Sequence, residues 1–305
     1  MPTVIEVSGV SKRYDEREVV HELSLQVQAG QCFGLLGPNG AGKSTSLRMI
    51  YGVTAPSSGS VRVFGLDVSR EGRAVRARLG VTLQDNVMID ALSPIDNLKV
   101  FGRYHLLREP LLSKRITELV DYLELGSHAN VPVIALSGGF KRRLAIAMSL
   151  INEPELLILD EPTTGLDPAV RLSLWTKVRE LKSRGKTVLL TTHYMDEAER
   201  LCDYVVIMAQ GRAVVQGSPS ELIRTRIGRD AFEVDCSPEE EAKLLSGLKI
   251  RALRSGPRLL AFGEDSAQLA PRLHGLAPDR AYILRPANLE DVFLAETGTR
   301  LEAGA

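Results

Sequence analysis

The stretch Gly37-Pro38-Asn39-Gly40-Ala41-Gly42-Lys43-Ser44-Thr45 decides how this chain folds. It satisfies the pattern G-x-x-x-x-G-K-[ST] without a mismatch. The residue types follow from the chemistry of a polyphosphate, which is densely anionic and rich in acceptor oxygens. Small residues let the backbone curl so that successive N–H groups point inward as an anion nest. Lys43 adds a full positive charge, and Ser44 offers a hydroxyl to a magnesium ion. The flanks agree. Gln31-Cys32-Phe33-Gly34-Leu35-Leu36 reads as a buried strand, and residues 44–50 read as a helix whose N-terminus faces the phosphates. Strand, loop and helix together predict a nucleoside triphosphate site.

A second stretch supplies acids. Leu156-Leu157-Ile158-Leu159-Asp160-Glu161-Pro162 is an apolar run ending in two carboxylates. A continuous apolar strand suits a parallel sheet covered on both faces, whose ligands bind beyond the carboxyl ends of its strands. Neighbouring strand residues point to opposite sides, so the two acids are expected to do different work. Asp160 is expected to hold Mg²⁺, directly or through water, and Glu161 to orient or deprotonate an attacking water.

Other candidates are less distinctive. Leu136-Ser137-Gly138-Gly139-Phe140-Lys141-Arg142-Arg143 precedes a helical pattern through Leu144, Ala147, Met148 and Ile151. Ser137 can donate to a phosphate oxygen, and Gly138 and Gly139 allow one to approach a helix N-terminus; the same residues also make a plain helix cap. Gln84 follows the strand-like Gly80-Val81-Thr82-Leu83, and His193 ends the strand-like residues 186–192. A lone Gln or His at a strand end also serves structural roles. Asp167-Pro168 reads as N-cap and first residue of the next helix.

The 305 residues accommodate one large domain and a small one. With 38 basic and 38 acidic residues the formal charge is zero, so bulk charge argues for neither nucleic acid nor an anionic membrane as a partner. No apolar run approaches the ~20 residues that span a bilayer, and the start shows no secretion signal. Cys32, Cys202 and Cys236 are scattered without metal spacing, as reduced cytosolic thiols would be.

Short apolar runs alternate with helical patterns up to about residue 215, the mark of a layered α/β domain. Near the N-terminus, Thr3-Val4-Ile5-Glu6-Val7, Leu23-Ser24-Leu25-Gln26-Val27 and Ser60-Val61-Arg62-Val63-Phe64 alternate apolar and polar residues as half-exposed antiparallel strands do. Residues of about 86–151 carry helical patterns and little strand signal, and read as an insertion. A nucleotide domain over 1–217 is expected, followed by a smaller domain over 218–305 in the order βαββαβ, a ferredoxin-like α+β module, with a last helix from Leu289.

In order along the chain, these elements resemble the ATP-binding subunits of ABC transporters. Phe101-Gly102-Arg103-Tyr104, residues 156–168, Glu197-Ala198-Glu199-Arg200-Leu201-Cys202-Asp203 and Asn288-Leu289-Glu290-Asp291-Val292-Phe293-Leu294 resemble the ABC-2 type exporters, within them the nodulation-factor (lipo-oligosaccharide) group. Leu83 stands where proline is common and Phe140 where Gln or Met is usual; neither change removes a phosphate ligand. The resemblance implies an α/β P-loop NTPase (ABC ATPase) core with an antiparallel β subdomain and a helical subdomain. It also implies a peripheral ATPase on the cytoplasmic face of the membrane, binding ATP and Mg²⁺ and powering a separate ABC-2 permease. Two copies are expected to pack head to tail, the ATP on the loop of one capped by Ser137 and Gly139 of the other. Tyr14 matches the aromatic that stacks on adenine, His193 the contact to the γ-phosphate, Gln84 the sensor of Mg²⁺ and water, and Asp167 the bridge between subunits. The competing readings are a soluble ABC ATPase acting on ribosomes or DNA, and a non-catalytic ATP-binding module. The second is disfavoured by the presence of Lys43, Asp160, Glu161 and His193 together.

Overall fold

The computed structural model describes residues 2–85, 87–263 and 266–298. Asn86, the first residue of the expected insertion, and residues 299–305 of the expected tail domain lie outside the described residues. The chain divides into two compact units, Met1–Ala213 and Val214–Ala305.

Unit 1 begins with a long hairpin, β1 (Thr3–Tyr14) and β2 (Arg17–Gln28). Then follow β3 (Cys32–Leu36), α1 (Lys43–Ile50), β4 (Ser58–Val63), β5 (Leu66–Asp67), α2 (Val68–Ala77) and β6 (Leu79–Thr82). The expected insertion holds α3 (Pro94–Tyr104), α4 (Leu111–Tyr122) and α5 (Gly138–Leu150). After it come β7 (Leu156–Asp160), α6 (Pro168–Ser183), β8 (Thr187–Thr192), α7 (Met195–Leu201), β9 (Tyr204–Ala209) and β10 (Arg212–Gly217).

Two sheets organise this unit. The first has the order β2-β1-β4-β5 and is antiparallel, as the alternating pattern predicts. The second has the order β10-β9-β3-β8-β7-β6, and its pairs from β9 to β6 are parallel. Val7, Leu25 and Val61 of the first sheet meet Leu35, Ile158 and Leu189 of the second, with Leu47 and Met49 of α1, in one buried cluster. Each such side chain, fully buried, contributes about 1.5–3 kcal/mol, so the sheets and α1 are held as a rigid base for the loops above them.

Register places those loops together. Leu36 pairs with Thr192, Asp160 with Thr191, and Thr82 with Leu159. Parallel strands in this register end on one edge, so Gly37, Glu161, His193 and Leu83 all leave the sheet side by side. This is where open parallel sheets bind ligands.

The expected boundary after Gly217 differs from the observed division between Ala213 and Val214, which falls inside β10. That strand is continuous, and nothing in its pattern marks a break. Unit 2 contains α8 (Pro219–Leu222), β11 (Asp230–Asp235), α9 (Pro238–Leu245), β12 (Arg251–Ser255), β13 (Arg258–Phe262), α10 (Leu269–Leu276), β14 (Tyr282–Pro286) and α11 (Leu289–Thr297). Its sheet has the order β12-β13-β11-β14 with antiparallel pairing throughout. With two helices joining the strands, this is the split βαββαβ arrangement expected from the sequence.

Candidate functional site

The glycines of the loop are demanded by space as well as by conformation. Gly37 has φ +148°, and a Cβ there would lie 2.2 Å from the Met208 carbonyl oxygen. Gly42 is the N-cap of α1 with φ +97°, and a Cβ would lie 2.9 Å from the Val19 carbonyl oxygen. No side chain caps α1, so its first N–H groups remain available to an anion. Lys43 is buried in the curl of the loop. Its Nζ donates to the carbonyls of Gly37 at 2.7 Å and Pro38 at 3.1 Å.

Asp160 and Glu161 do separate, though by a different device from strand alternation. Asp160 is the last residue of β7, and Glu161 already sits in a left-handed turn with φ +45°. Asp160 Oδ1 accepts from Thr191 Oγ1 at 2.5 Å and Ser44 Oγ at 3.3 Å. The Glu161 amide donates to Thr191, to its carbonyl at 3.1 Å and to its hydroxyl at 3.0 Å. Its carboxylate has a separate set of partners. Oε1 lies 3.3 Å from Lys43 Nζ, while Oε2 accepts from Thr164 Oγ1 at 3.1 Å. His193 Nδ1 comes within 3.3 Å of Oε2 without hydrogen-bond geometry.

Both members of the Lys43–Glu161 pair are buried. Burial pulls the Lys43 ammonium below its usual range, opposed by Glu161 and then Asp160. Burial pushes the Glu161 carboxyl up, but Lys43, His193 and Thr164 together outweigh it and leave the carboxyl below its ordinary range. Glu161 is therefore a carboxylate at neutral pH, the form needed to accept a proton from water.

A cavity of about 310 Å³ lies over this pair, lined by Val19, residues 39–45, Gln84 and Glu161. It brings together the loop residues Asn39, Gly40, Ala41, Lys43, Ser44 and Thr45 with two candidates from distant segments. Gln84 is exposed and lies two residues beyond the end of β6 rather than directly on it. The remaining candidates are placed elsewhere. Tyr14 ends β1 and is 42% exposed, with Lys12 Nζ 4.8 Å above its ring. Ser137 is the N-cap of α5, its Oγ 3.4 Å from the Phe140 amide; Ser137 and Gly138 are exposed, and neither they nor Gly139 line the cavity. Asp167 caps α6 by accepting from the Val170 amide at 3.0 Å, and is exposed.

Some structural partners escaped the sequence reading. Thr191 holds both acids in place through its hydroxyl and carbonyl. Glu197 Oε1 accepts from Thr163 Oγ1 at 2.8 Å and from Trp175 Nε1 at 2.9 Å, bracing the turn after Glu161 against α6 and α7. Arg142 is 7% exposed and reaches the backbone on both sides of Glu161. A signal for it exists: Arg142, Ile146 and Leu150 recur at helical spacing on the buried stripe of α5.

Comparison with known proteins decides the family. The profile of the ABC transporter family matches residues 20–164, and that of the C-terminal domain of nodulation factor export protein NodI matches residues 239–298. The chain is 44% identical over 302 residues to the Nod factor export ATP-binding protein I of Cupriavidus pinatubonensis, covering 99% of this chain and 93% of that one. It is 45% identical over 303 residues to the protein of that name from Rhizobium johnstonii, covering 99% and 97%. This chain belongs to the ATP-binding subunits of ABC transporters. Like other ABC cassettes it binds ATP and hydrolyses it. Among solved structures, it is similar to cbiO1 from Clostridium perfringens, part of the ABC transporter complex cbiONQ, with TM-score 0.68 and 30% identity over 74% of this chain and 92% of that one. A dimeric bacterial ABC transporter cassette is similar at TM-score 0.65 and 26% identity, covering 70% and 98%. These relatives are transport subunits, and the ribosome- or DNA-directed reading of the ABC subunit finds no support among them.

Proposed function

We propose that this chain powers an ABC-2 type exporter whose cargo is a nodulation factor or a closely similar lipo-oligosaccharide. The carrying observation is near full-length likeness to proteins named for Nod factor export, on a site where Lys43, Ser44, Gln84 and Glu161 face one cavity. Among the described residues no helix is long and apolar enough to cross a membrane. In this reading the subunit works through a separate permease, at the cytoplasmic face of the membrane, as its likeness to exporter subunits supports.

Lys43 and the loop amides bind the β- and γ-phosphates. Glu161 accepts the proton of the attacking water, Gln84 orients that water, and His193 contacts the γ-phosphate. The oxygens of Ser44 and Asp160, 3.3 Å apart, fit Mg²⁺, which prefers a few hard oxygen ligands and keeps water and phosphate for the rest. When bound, that ion neutralises charge on the phosphate oxygens.

Ser137, Gly138 and Gly139 stand outside the cavity of their own chain, which supports the reading that a second copy supplies them. In that head-to-tail dimer Tyr14 stacks on adenine and Asp167 bridges the subunits. The helical insertion over 86–151 carries the permease contact. Val87 and Ile89 are exposed and Met88 is half-buried just after Gln84, an apolar run that a free surface disfavours. The domain over 218–305 is an accessory to this engine.

The test is copurification from membranes followed by reconstitution. A polytopic permease should accompany the tagged chain, and vesicles holding both should move lipo-oligosaccharide only with ATP. Recovery of ribosomes instead, or transport indifferent to ATP, contradicts the proposal.

A further inference from the structure

Arg142 lies on α5, within the helical insertion, yet its guanidinium leaves that insertion. Nε donates to the Pro162 carbonyl at 2.7 Å, Nη2 to the Asp160 carbonyl at 2.7 Å and Nη1 to the Leu83 carbonyl at 2.6 Å. The first two carbonyls bracket Glu161. The third belongs to the residue before Gln84. One rigid fork thus joins three chain segments that sequence separates widely.

The bracketed turn needs such a hold. At φ +45° a residue with a side chain pays a conformational cost of roughly 1–3 kcal/mol, and the strain persists only where the surroundings over-determine it. Two of the restraints are the Thr191 bonds to the Glu161 amide. Arg142 adds two more, on the peptide oxygens of Asp160 and Pro162, beside the bonds that Thr164 and Lys43 make to Glu161. Release of those oxygens removes two of the bonds that hold this turn, and with them part of what keeps the carboxylate towards Lys43 and the cavity. A flexible ammonium reproduces this only in part, because three carbonyls at fixed angles match a planar fork.

The charge is also placed with purpose. Burial pulls the Arg142 guanidinium down to about 10, with Asp160, Glu197 and Glu161 opposing that shift in this order. It stays a cation at neutral pH and does not line the cavity that Lys43 faces.

We propose that Arg142 is a positioning residue for hydrolysis, which sets the Glu161 carboxylate and ties its orientation to the segment carrying Gln84. Displacement of the helical insertion relative to β7 is then felt directly at Glu161. This rests on the reading of Glu161 as the group that activates water.

The experiment uses the full chain, with Arg142→Met and Arg142→Lys made alone and in a Glu161→Gln background. ATP affinity, kcat and single-turnover hydrolysis are measured, with a thermal scan of each variant. Arg142→Met should lower kcat by about 10–100-fold, the cost of misplacing a reacting group, and leave ATP affinity unchanged. Arg142→Lys should recover part of that loss. In the Glu161→Gln background, Arg142→Met should cost nothing further, since groups that act as a unit are not additive. Equal factors in both backgrounds, or affinity falling in step with kcat, would indicate general damage and overturn the inference. So would an unchanged kcat. If Arg142→Met does not fold, the Arg142→Lys cycle decides by the same criteria. Normal turnover by Glu161→Gln alone would remove the reading of Glu161 as well, whereas an additive cycle removes only the role given to Arg142.

Discussion

Replacing Lys43 with alanine lowers ATP turnover by roughly 10²–10³-fold or more, the effect of removing one preorganised donor from a developing anion in a dry site. The ammonium is 4% exposed and is surrounded by the loop that binds the phosphates. A second effect accompanies the first. Without Lys43, Glu161 keeps its burial and loses its main countercharge, so its carboxyl rises relative to the native protein. The sign of the pH dependence follows. In the native protein the lowered carboxyl contributes stability that is present above the unfolded glutamate value of 4.5 and is lost as pH falls through the folded value. In Lys43→Ala that contribution is reduced or reversed at neutral pH, and protonation relieves it. The difference in Tm between the two proteins should therefore narrow as pH is lowered from 7 towards the ordinary glutamate range. A Tm difference that is constant with pH, or turnover close to native, would be inconsistent with the Lys43–Glu161 geometry.

Glu161→Gln and Asp160→Asn should fail in different ways. Glu161→Gln keeps the shape of the side chain and removes its basicity, so ATP binding survives while turnover falls by about 10²–10⁴-fold, the usual contribution of a general base. Asp160→Asn weakens the oxygen pair with Ser44. It should lose activity at low Mg²⁺ and regain part of it when the metal is raised, while Glu161→Gln stays inactive throughout. Equal rescue of both by excess Mg²⁺ would show that the acids do not divide the work.

What could be read from the chain depended on which atoms carry the information. The phosphate loop was legible because its backbone curls so tightly against neighbouring chain that glycine is the residue that fits. Gly37, with the Met208 carbonyl 2.2 Å from a Cβ, shows the constraint. The strand ending at Asp160 was legible because both its faces are buried, which requires an unbroken apolar run. The order of strands and helices in the tail was legible because each segment keeps its own period.

The rest was hidden for physical reasons. The N-terminal strand was read as ending at Val7, whereas β1 continues to Tyr14. Register shifts between Val7 and Val10 and again to Lys12 interrupt the alternation on which the reading relied. The left-handed turn at Glu161 leaves no mark, because a non-glycine residue held there by its neighbours looks like any other. Arg142 lay in the run Lys141-Arg142-Arg143, which resembles a solvated basic patch. Its three partners are backbone carbonyls, and these contribute no letter to the sequence. The proposed sharing of site residues between two copies is likewise invisible in one chain, except through resemblance.

In Glu161→Gln, hydrolysis is slow enough for bound ATP to persist, and nucleotide buried between two copies stabilises their association by linkage. Light scattering of this variant, with and without Mg²⁺-ATP, measures the consequence directly. The mass should double on adding nucleotide, and Ser137→Phe, which blocks the cap without touching the phosphate loop, should prevent the doubling. An unchanged mass in Glu161→Gln with ATP bound would contradict the proposed sharing.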